Sequence, residues 1–148
     1  MKLDSSAFVA DRELIEALEK RCAPILCEED RILFAQGELS TGLYILRAGR
    51  ATLSMASPAG DTFMCIPVSA GSVLGLPALI GNQPYSLTAK ALRGAELSFV
   101  SREDFSQVML VEPSLSLSVL RVLAAEVRTA RYALLEFCPA EDGHRECK

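Results

Sequence analysis

The cysteines and the single histidine are the residues whose types best suit metal or redox chemistry. Cys138, His144 and Cys147 lie together in a short carboxy-terminal segment rich in charged residues. Zinc sites usually need four ligands at closer spacing. The five cysteines of the chain are odd in number and widely spread, which does not fit a disulfide framework. We therefore expect free thiols, no metal site and a disordered tail over residues 138–148.

Cys22 and Cys27 are the one pair of cysteines close together outside that tail. Four residues separate them, at the end of a predicted helix and in a predicted strand. No third or fourth cysteine lies nearby, so an iron–sulfur cluster is not expected. Buried structural thiols are the better interpretation. Because the chain also lacks a plausible general base or nucleophile pair, we do not expect an enzyme.

The segment from Gly75 to Leu79 indicates a different chemistry, the recognition of an anion or a polar oxygen. The pattern predicts a strand that ends at Gly75 and a short helical turn with Pro77 at its first position. The amides of Ala78 and Leu79 would then lack partners within the helix and could receive a ligand. Glycine at position 75 would let that ligand approach the backbone. The alternative is a tight connection whose amides bind water.

The stretch around this segment is nearly uncharged. Between Arg50 and Lys90 there is no lysine or arginine, and Asp61 is the only acid. Hydroxyl groups are available from Tyr85 and Ser86, and an apolar wall from Leu76, Leu79 and Leu87. Such a pocket favours a neutral or amphiphilic ligand.

The elements that would position these residues are mostly short strands. A helix is predicted from Asp11, its N-cap, to Cys22. Runs of four to eight residues follow, and several alternate between apolar and polar side chains. They cover 32–35, 42–48, 51–57, 62–68, 85–92 and 95–100. Because no helix-length crossovers separate them, they predict a jelly roll or barrel over about 24–100.

Two helices are predicted after the strands, over about 101–137. Ser101 and Asp104 resemble a capping box at the start of the first. The second runs from Pro113 to about Phe137 and carries apolar residues at alternating steps of three and four. We call these residues the helix seam: Leu120, Leu123, Val127, Ala130, Leu134 and Phe137. The seam predicts a homodimer, although packing on the chain's own domain remains an alternative.

Two further features of this helix bear on the dimer. Leu115, Val119 and Val122 form a second apolar stripe that could pack on the domain itself. Arg121, Arg128 and Arg131 are interpreted as charges flanking the helix seam, with Glu126 or Glu136 as partners.

The length and composition predict one compact domain. The chain has 148 residues, half of them hydrophobic, with a mean hydropathy of +0.25 and a net charge of −4. The acidic balance argues against direct nucleic-acid binding. No apolar stretch approaches the ~20 residues that span a bilayer, and no signal peptide is evident, so a cytoplasmic protein is expected.

The order of the elements, with a short helix in the middle of about eight strands, resembles the cyclic nucleotide-binding domain of the Crp/Fnr regulator family. The likeness covers about 6–137. Segments 32–38 and 42–49 resemble its glycine-punctuated hairpins, and 71–80 resembles its phosphate-binding cassette. The resemblance implies a small-molecule ligand, with Thr129 and Arg131 near the place where the family's long helix meets the purine.

The resemblance also implies two charged ligand contacts that this sequence lacks. In the family, a glutamate after the cassette glycine accepts from the ribose, and an arginine pairs with the cyclic phosphate. Here those places hold Leu76 and Tyr85. An arginine–phosphate contact contributes ~1.5–3 kcal/mol, so its loss costs at least tenfold in affinity. We therefore expect no tight site for cyclic AMP or cyclic GMP.

The sequence thus predicts a non-catalytic sensor module with a degenerate cassette. Family regulators continue into a helix-turn-helix domain, and the eleven residues after Phe137 leave no room for a recognition helix. The alternative is a dimeric structural or adaptor domain with a vestigial pocket.

Overall fold

The computed structural model describes residues 8–137. It contains eight strands, four α-helices and one turn of 3-10 helix. In chain order these are α1 Arg12–Glu19, β1 Ala23–Leu26, β2 Arg31–Phe34, β3 Gly42–Ala48, β4 Ala51–Ala56, β5 Thr62–Val68, β6 Val73–Leu74, α2 Leu76–Gly81, β7 Thr88–Ala91, β8 Glu96–Ser101, α3 Arg102–Val111, the 3-10 turn Pro113–Leu115 and α4 Ser116–Phe137.

The strands form two four-stranded antiparallel sheets. Their orders are β1-β8-β3-β6 and β2-β7-β4-β5, so neighbours in space are distant in sequence. Strand β4 shows why they pack face to face, because Ala51 and Leu53 are buried while Thr52 and Ser54 are half-buried. The predicted jelly roll is confirmed.

Two clusters of buried side chains form the core. Leu46, Leu53 and Ile66 are almost fully buried in the cluster between the sheets. The other cluster joins strand β3 to the helices, and it includes Leu14 of α1 and Phe105 of α3. Helices α1, α3 and α4 therefore cover the outside of one sheet.

Several predicted boundaries were wrong. The predicted strand over 85–92 begins only at Thr88, because the backbone of Tyr85 bonds to Gly37 and Glu38 in the loop between β2 and β3. Helix α1 ends at Glu19 instead of Cys22, because the chain turns there to enter β1, which ends at Leu26, one residue before Cys27.

The helix starts also differ in detail. Ser101 caps α3 as predicted, its hydroxyl accepting from the amide of Asp104 at 3.2 Å. Asp11 occupies the N-cap position of α1, but its carboxylate binds Arg121 of α4 at 3.1 Å and no helix amide. Pro113 begins the 3-10 turn, so α4 itself starts at Ser116.

Helix α4 presents two different faces. Leu115, Val119 and Val122 are buried against the domain, which confirms the second apolar stripe. Of the helix seam, Leu120 and Val127 are 59% and 50% exposed. The side chains of Leu134 and Phe137, and the metal ligands weighed in the tail, lie outside what the structure describes.

Among the described helices, no single one is long and apolar enough to cross a membrane. Helix α3 and the segment Pro113–Tyr132 meet that criterion only as a pair, and they are bent by 108° to each other.

Candidate ligand-binding site

An apolar cavity of about 490 Å³ lies between the jelly roll and α4. We call it the outer cavity. Strands β4 and β5, helix α2 and the loop before β7 form one side, and α4 forms the other. Its lining residues are Phe8, Met55, Met64, Ile66, Pro77, Ile80, Gly81, Ser86, Leu87, Leu123, Glu126, Val127, Thr129 and Ala130. Its size is typical of small-molecule sites.

A much smaller space, the inner cavity, extends from it toward the sheets. Its volume is about 20 Å³, and its lining includes Phe34, Leu53, Gly75 and Ala78. Phe8, Pro77, Ser86, Leu87 and Glu126 line both cavities. The inner cavity has room for about one water molecule. Of these two spaces, only the outer cavity can hold a ligand larger than that.

The predicted cassette folds as a strand, a glycine and a short helix. Gly75 precedes α2 with φ +94°, a conformation that favours glycine, and a Cβ there would lie 3.0 Å from the Tyr85 ring. Pro77 is the second residue of α2, not the first. The amide of Leu79, expected to be available for a ligand, donates to the carbonyl of Gly75 at 3.2 Å.

Tyr85 was expected to offer its hydroxyl to a ligand, and the structure places it in the core instead. Its ring stacks on Phe34 with centroids 3.9 Å apart. The hydroxyl donates to the Gly42 carbonyl at 2.7 Å and accepts from the amides of Thr41 and Gly42. Tyr85 is 4% exposed, so its role is to hold the loop between β2 and β3.

The other predicted site residues divide by position. Pro77, Ser86, Leu87 and Thr129 line the outer cavity, and Gly75 and Ala78 line the inner one. Leu76 and Leu79, expected as an apolar wall, are buried in the cluster that joins β3 to the helices. Arg131 is exposed and is not among the lining residues.

Glu126 is the functional candidate that the sequence reasoning missed. It was interpreted as a partner for arginines beside the helix seam, but it lines both cavities. Its Oε2 atom is buried and has no hydrogen-bond partner among the described residues. Burial alone raises the pKa of this carboxyl to about 8. The sequence did carry a signal for a position that faces the domain. Glu126 continues the buried stripe, whose positions recur at steps of four and three: Leu115, Val119, Val122, Glu126 and Thr129.

The family to which the chain belongs follows from its sequence. The profile of the cyclic nucleotide-binding domain matches residues 25–111, more than half of the chain. The chain is a member of the cyclic nucleotide-binding domain family. No curated protein matches it.

Solved structures support the same fold. The Catabolite Activator Protein of Thermus thermophilus aligns with a TM-score of 0.72 at 24% identity over 90% of this chain and 63% of that one. The N-terminal domain of a transcriptional regulator from Streptomyces coelicolor aligns at 0.62 and 21%, over 93% and 91%. A cyclic nucleotide-binding-like protein from Brucella abortus aligns at 0.54 and 28%, over 66% and 83%. The chain therefore spans less than two thirds of the first structure.

The resemblance places Leu76 and Tyr85 at the positions of the two charged anchors of the cyclic nucleotide-binding domain. Both side chains are buried in the core of this structure. Among the described residues that line the two cavities, none carries a positive charge. A cyclic phosphate placed there would lose its hydration without gaining an ionic partner.

The described cysteines and acids give no sign of a metal centre. Cys22, Cys27 and Cys65 are free thiols, of which Cys27 is buried and Cys22 half-buried. Within residues 8–137, no three His, Cys, Asp or Glu side chains form a group that could hold a metal ion.

Proposed function

We propose that this domain is a non-catalytic sensor module that binds an apolar or amphiphilic small molecule instead of a cyclic nucleotide. The outer cavity carries the proposal. It has the volume of a ligand site, and its lining is formed largely by methionine, leucine, isoleucine and valine side chains. Burial of a hydrocarbon ligand against such a lining contributes ~25 cal/mol per Å² of apolar surface. A nucleotide would bury little apolar surface there, and its phosphate would find no cationic partner among the described lining residues.

The position of the cavity supports a sensor because one wall belongs to α4. Leu123, Val127 and Ala130 face the ligand space from this helix, and the same three residues belong to the helix seam. A ligand that contacts α4 changes the free energy of each arrangement of the helix against the roll. If its affinity differs between two arrangements, it shifts their populations. Motion of α4 is therefore the proposed output.

The exposed part of the helix seam supports a homodimer through α4. Leu120 and Val127 present apolar surface at the spacing of a coiled coil. We place the protein in the cytoplasm, where the free thiols of Cys22, Cys27 and Cys65 would stay reduced.

The second candidate function is a structural or adaptor domain with a vestigial pocket. The inner cavity favours it, because Phe34 and Tyr85 stack beside Gly75 and leave only about 20 Å³. In that account, the outer cavity binds nothing and the domain serves only to dimerise or dock a partner.

Thermal unfolding with 1-octanol distinguishes the two candidates. A ligand that binds only the folded state raises the melting temperature, and the rise grows with the logarithm of the ligand concentration once that concentration exceeds Kd. We expect 1-octanol to raise it for the natural chain and not for Ser86→Trp, whose indole would fill the outer cavity. Ser69→Trp is the matched control, since Ser69 is also exposed but lies outside this cavity. It should respond as the natural chain does.

Two results would favour the adaptor domain. One is no stabilisation of the natural chain by 1-octanol, and the other is equal stabilisation of both tryptophan variants.

A further inference from the structure

Glu126 is the only ionisable side chain among the described residues that line the outer cavity. From β4 and β5 the cavity is faced by Met55, Met64 and Ile66, and from α2 by Pro77 and Ile80. Phe8, Ser86 and Leu87 complete the side opposite α4, and none of these groups is titratable near neutral pH. The carboxyl therefore stands alone in apolar surroundings.

The state of this carboxyl points to a missing partner. Buried polar atoms in native proteins are nearly always hydrogen-bonded, so one without a partner calls for an explanation. Oε2 of Glu126 is such an atom, and the residue that carries it lines both cavities. Arg121, five residues earlier on α4, is already bound to Asp11. A ligand group in the outer cavity would supply that partner.

We propose that the outer cavity binds an apolar amine, whose ammonium group pairs with the Glu126 carboxylate while its hydrocarbon part packs between β5, α2 and α4. This inference rests on the proposed function, because it requires the outer cavity to be a ligand site. It adds the chemical class of the ligand and the residue that selects it.

The amine is favoured over other amphiphiles by charge. An ammonium group donates charge-assisted hydrogen bonds to a carboxylate, which are stronger than those between neutral groups. An alcohol of equal length would gain only a neutral hydrogen bond. A carboxylic acid would be ionised at neutral pH, and it would meet a second acidic group and no described cation. We expect affinity in the order amine, alcohol, acid.

The predicted affinity for an amine depends on pH. Burial raises the pKa of Glu126 to about 8, so at pH 6 the amine must displace a proton before it can pair with the carboxylate. Affinity for an alkylamine should therefore rise about tenfold per pH unit below about 8 and level off above it. An alkylamine stays protonated over this range, as lysine does.

Calorimetric titration of the full chain at pH 8 tests the inference with three probes of equal length. These are octylamine, 1-octanol and octanoate. We expect octylamine to bind at least tenfold more tightly than 1-octanol, and octanoate to bind most weakly. Glu126→Gln should bind octylamine and 1-octanol within about threefold of each other. Glu29→Gln, which removes an exposed carboxylate outside the cavity, should keep the preference for octylamine.

Each failure has a distinct meaning. If the natural chain binds octylamine and 1-octanol equally, or if Glu126→Gln keeps the preference, the amine inference is wrong and the apolar ligand site stands. If the natural chain binds none of the probes, the proposed function is wrong as well. A flat affinity for octylamine between pH 6 and 8 in the natural chain would also overturn the inference, without any variant.

Discussion

Tyr85 and Glu126 each have a buried polar oxygen, but the two differ in hydrogen bonding. The Tyr85 hydroxyl makes hydrogen bonds to Thr41 and Gly42, and its ring stacks on Phe34. Glu126 has a buried oxygen without a partner in the described chain. A satisfied buried group stabilises the fold, whereas an unsatisfied one costs stability and is retained for another reason. Tyr85 is therefore a structural residue, and Glu126 is the residue that we propose to bind the ligand.

The raised pKa of Glu126 predicts a pH-dependent stability. The folded state keeps this proton up to about pH 8, whereas the unfolded chain releases it near pH 4.5. Between these values the folded state binds more protons, so the free energy of unfolding falls as pH rises. The loss should be on the order of a few kcal/mol. Urea unfolding at several pH values measures it, and Glu126→Gln should lose markedly less stability over the same range.

Glu29→Gln serves as the control for this experiment, because it removes an exposed carboxylate instead. It should follow the natural chain. Equal pH dependence in the natural chain and in Glu126→Gln would mean that the carboxyl is not buried as described.

Among the elements, α4 shows both what the sequence could predict and what it could not. The start of the helical segment at Pro113 was predicted from the proline, and the buried stripe of Leu115, Val119 and Val122 was predicted from apolar spacing. The continuation of that stripe through Glu126 was not predicted, because a charged residue normally lies on the solvent side of a helix.

The strands and α2 show the same limit for tertiary contacts. The strands were predicted from short runs between turn residues, several of which alternate, and Tyr85 was included in the run over 85–92. Its hydrogen bonds to Gly42, 43 positions away in sequence, hold it outside the sheet. For the same reason the sequence indicated a ligand hydroxyl where the structure has a core residue. Contacts between distant residues cannot be inferred from local pattern.

The helix seam predicts that one exposed leucine controls dimerisation. Leu120→Glu should convert a dimer into a monomer, because a charge in an apolar helix interface is desolvated without a partner. Since Leu120 is 59% exposed in the single chain, the change should cost the fold little. Light scattering over a range of concentrations measures the mass, which should be twice 16.0 kDa for the natural chain and 16.0 kDa for the variant.

Leu39→Glu is the matched control, since Leu39 is an exposed leucine in the loop before β3. It should remain dimeric. A natural chain that has the mass of one copy at every concentration would contradict the dimer.

The molecule as a whole places its apolar excess in three locations. The two core clusters fill the roll and the space beneath the helices. The outer cavity leaves about 490 Å³ of apolar space open beside α4, and the helix seam exposes further apolar surface on the same helix. The architecture of the cyclic nucleotide-binding domain is thus kept, and Tyr85 and Phe34 stack beside Gly75 of the predicted cassette. We therefore expect a sensor that has the fold of its family but binds a different class of ligand.

Calorimetric titration of the full chain with cyclic AMP and cyclic GMP tests this claim most directly. Without an arginine for the phosphate or a glutamate for the ribose, and with only about 20 Å³ beside Gly75, we expect no saturable binding at micromolar concentrations of either nucleotide. In the same preparation, octylamine should give a saturable heat. Saturable micromolar binding of cyclic AMP or cyclic GMP would contradict the account.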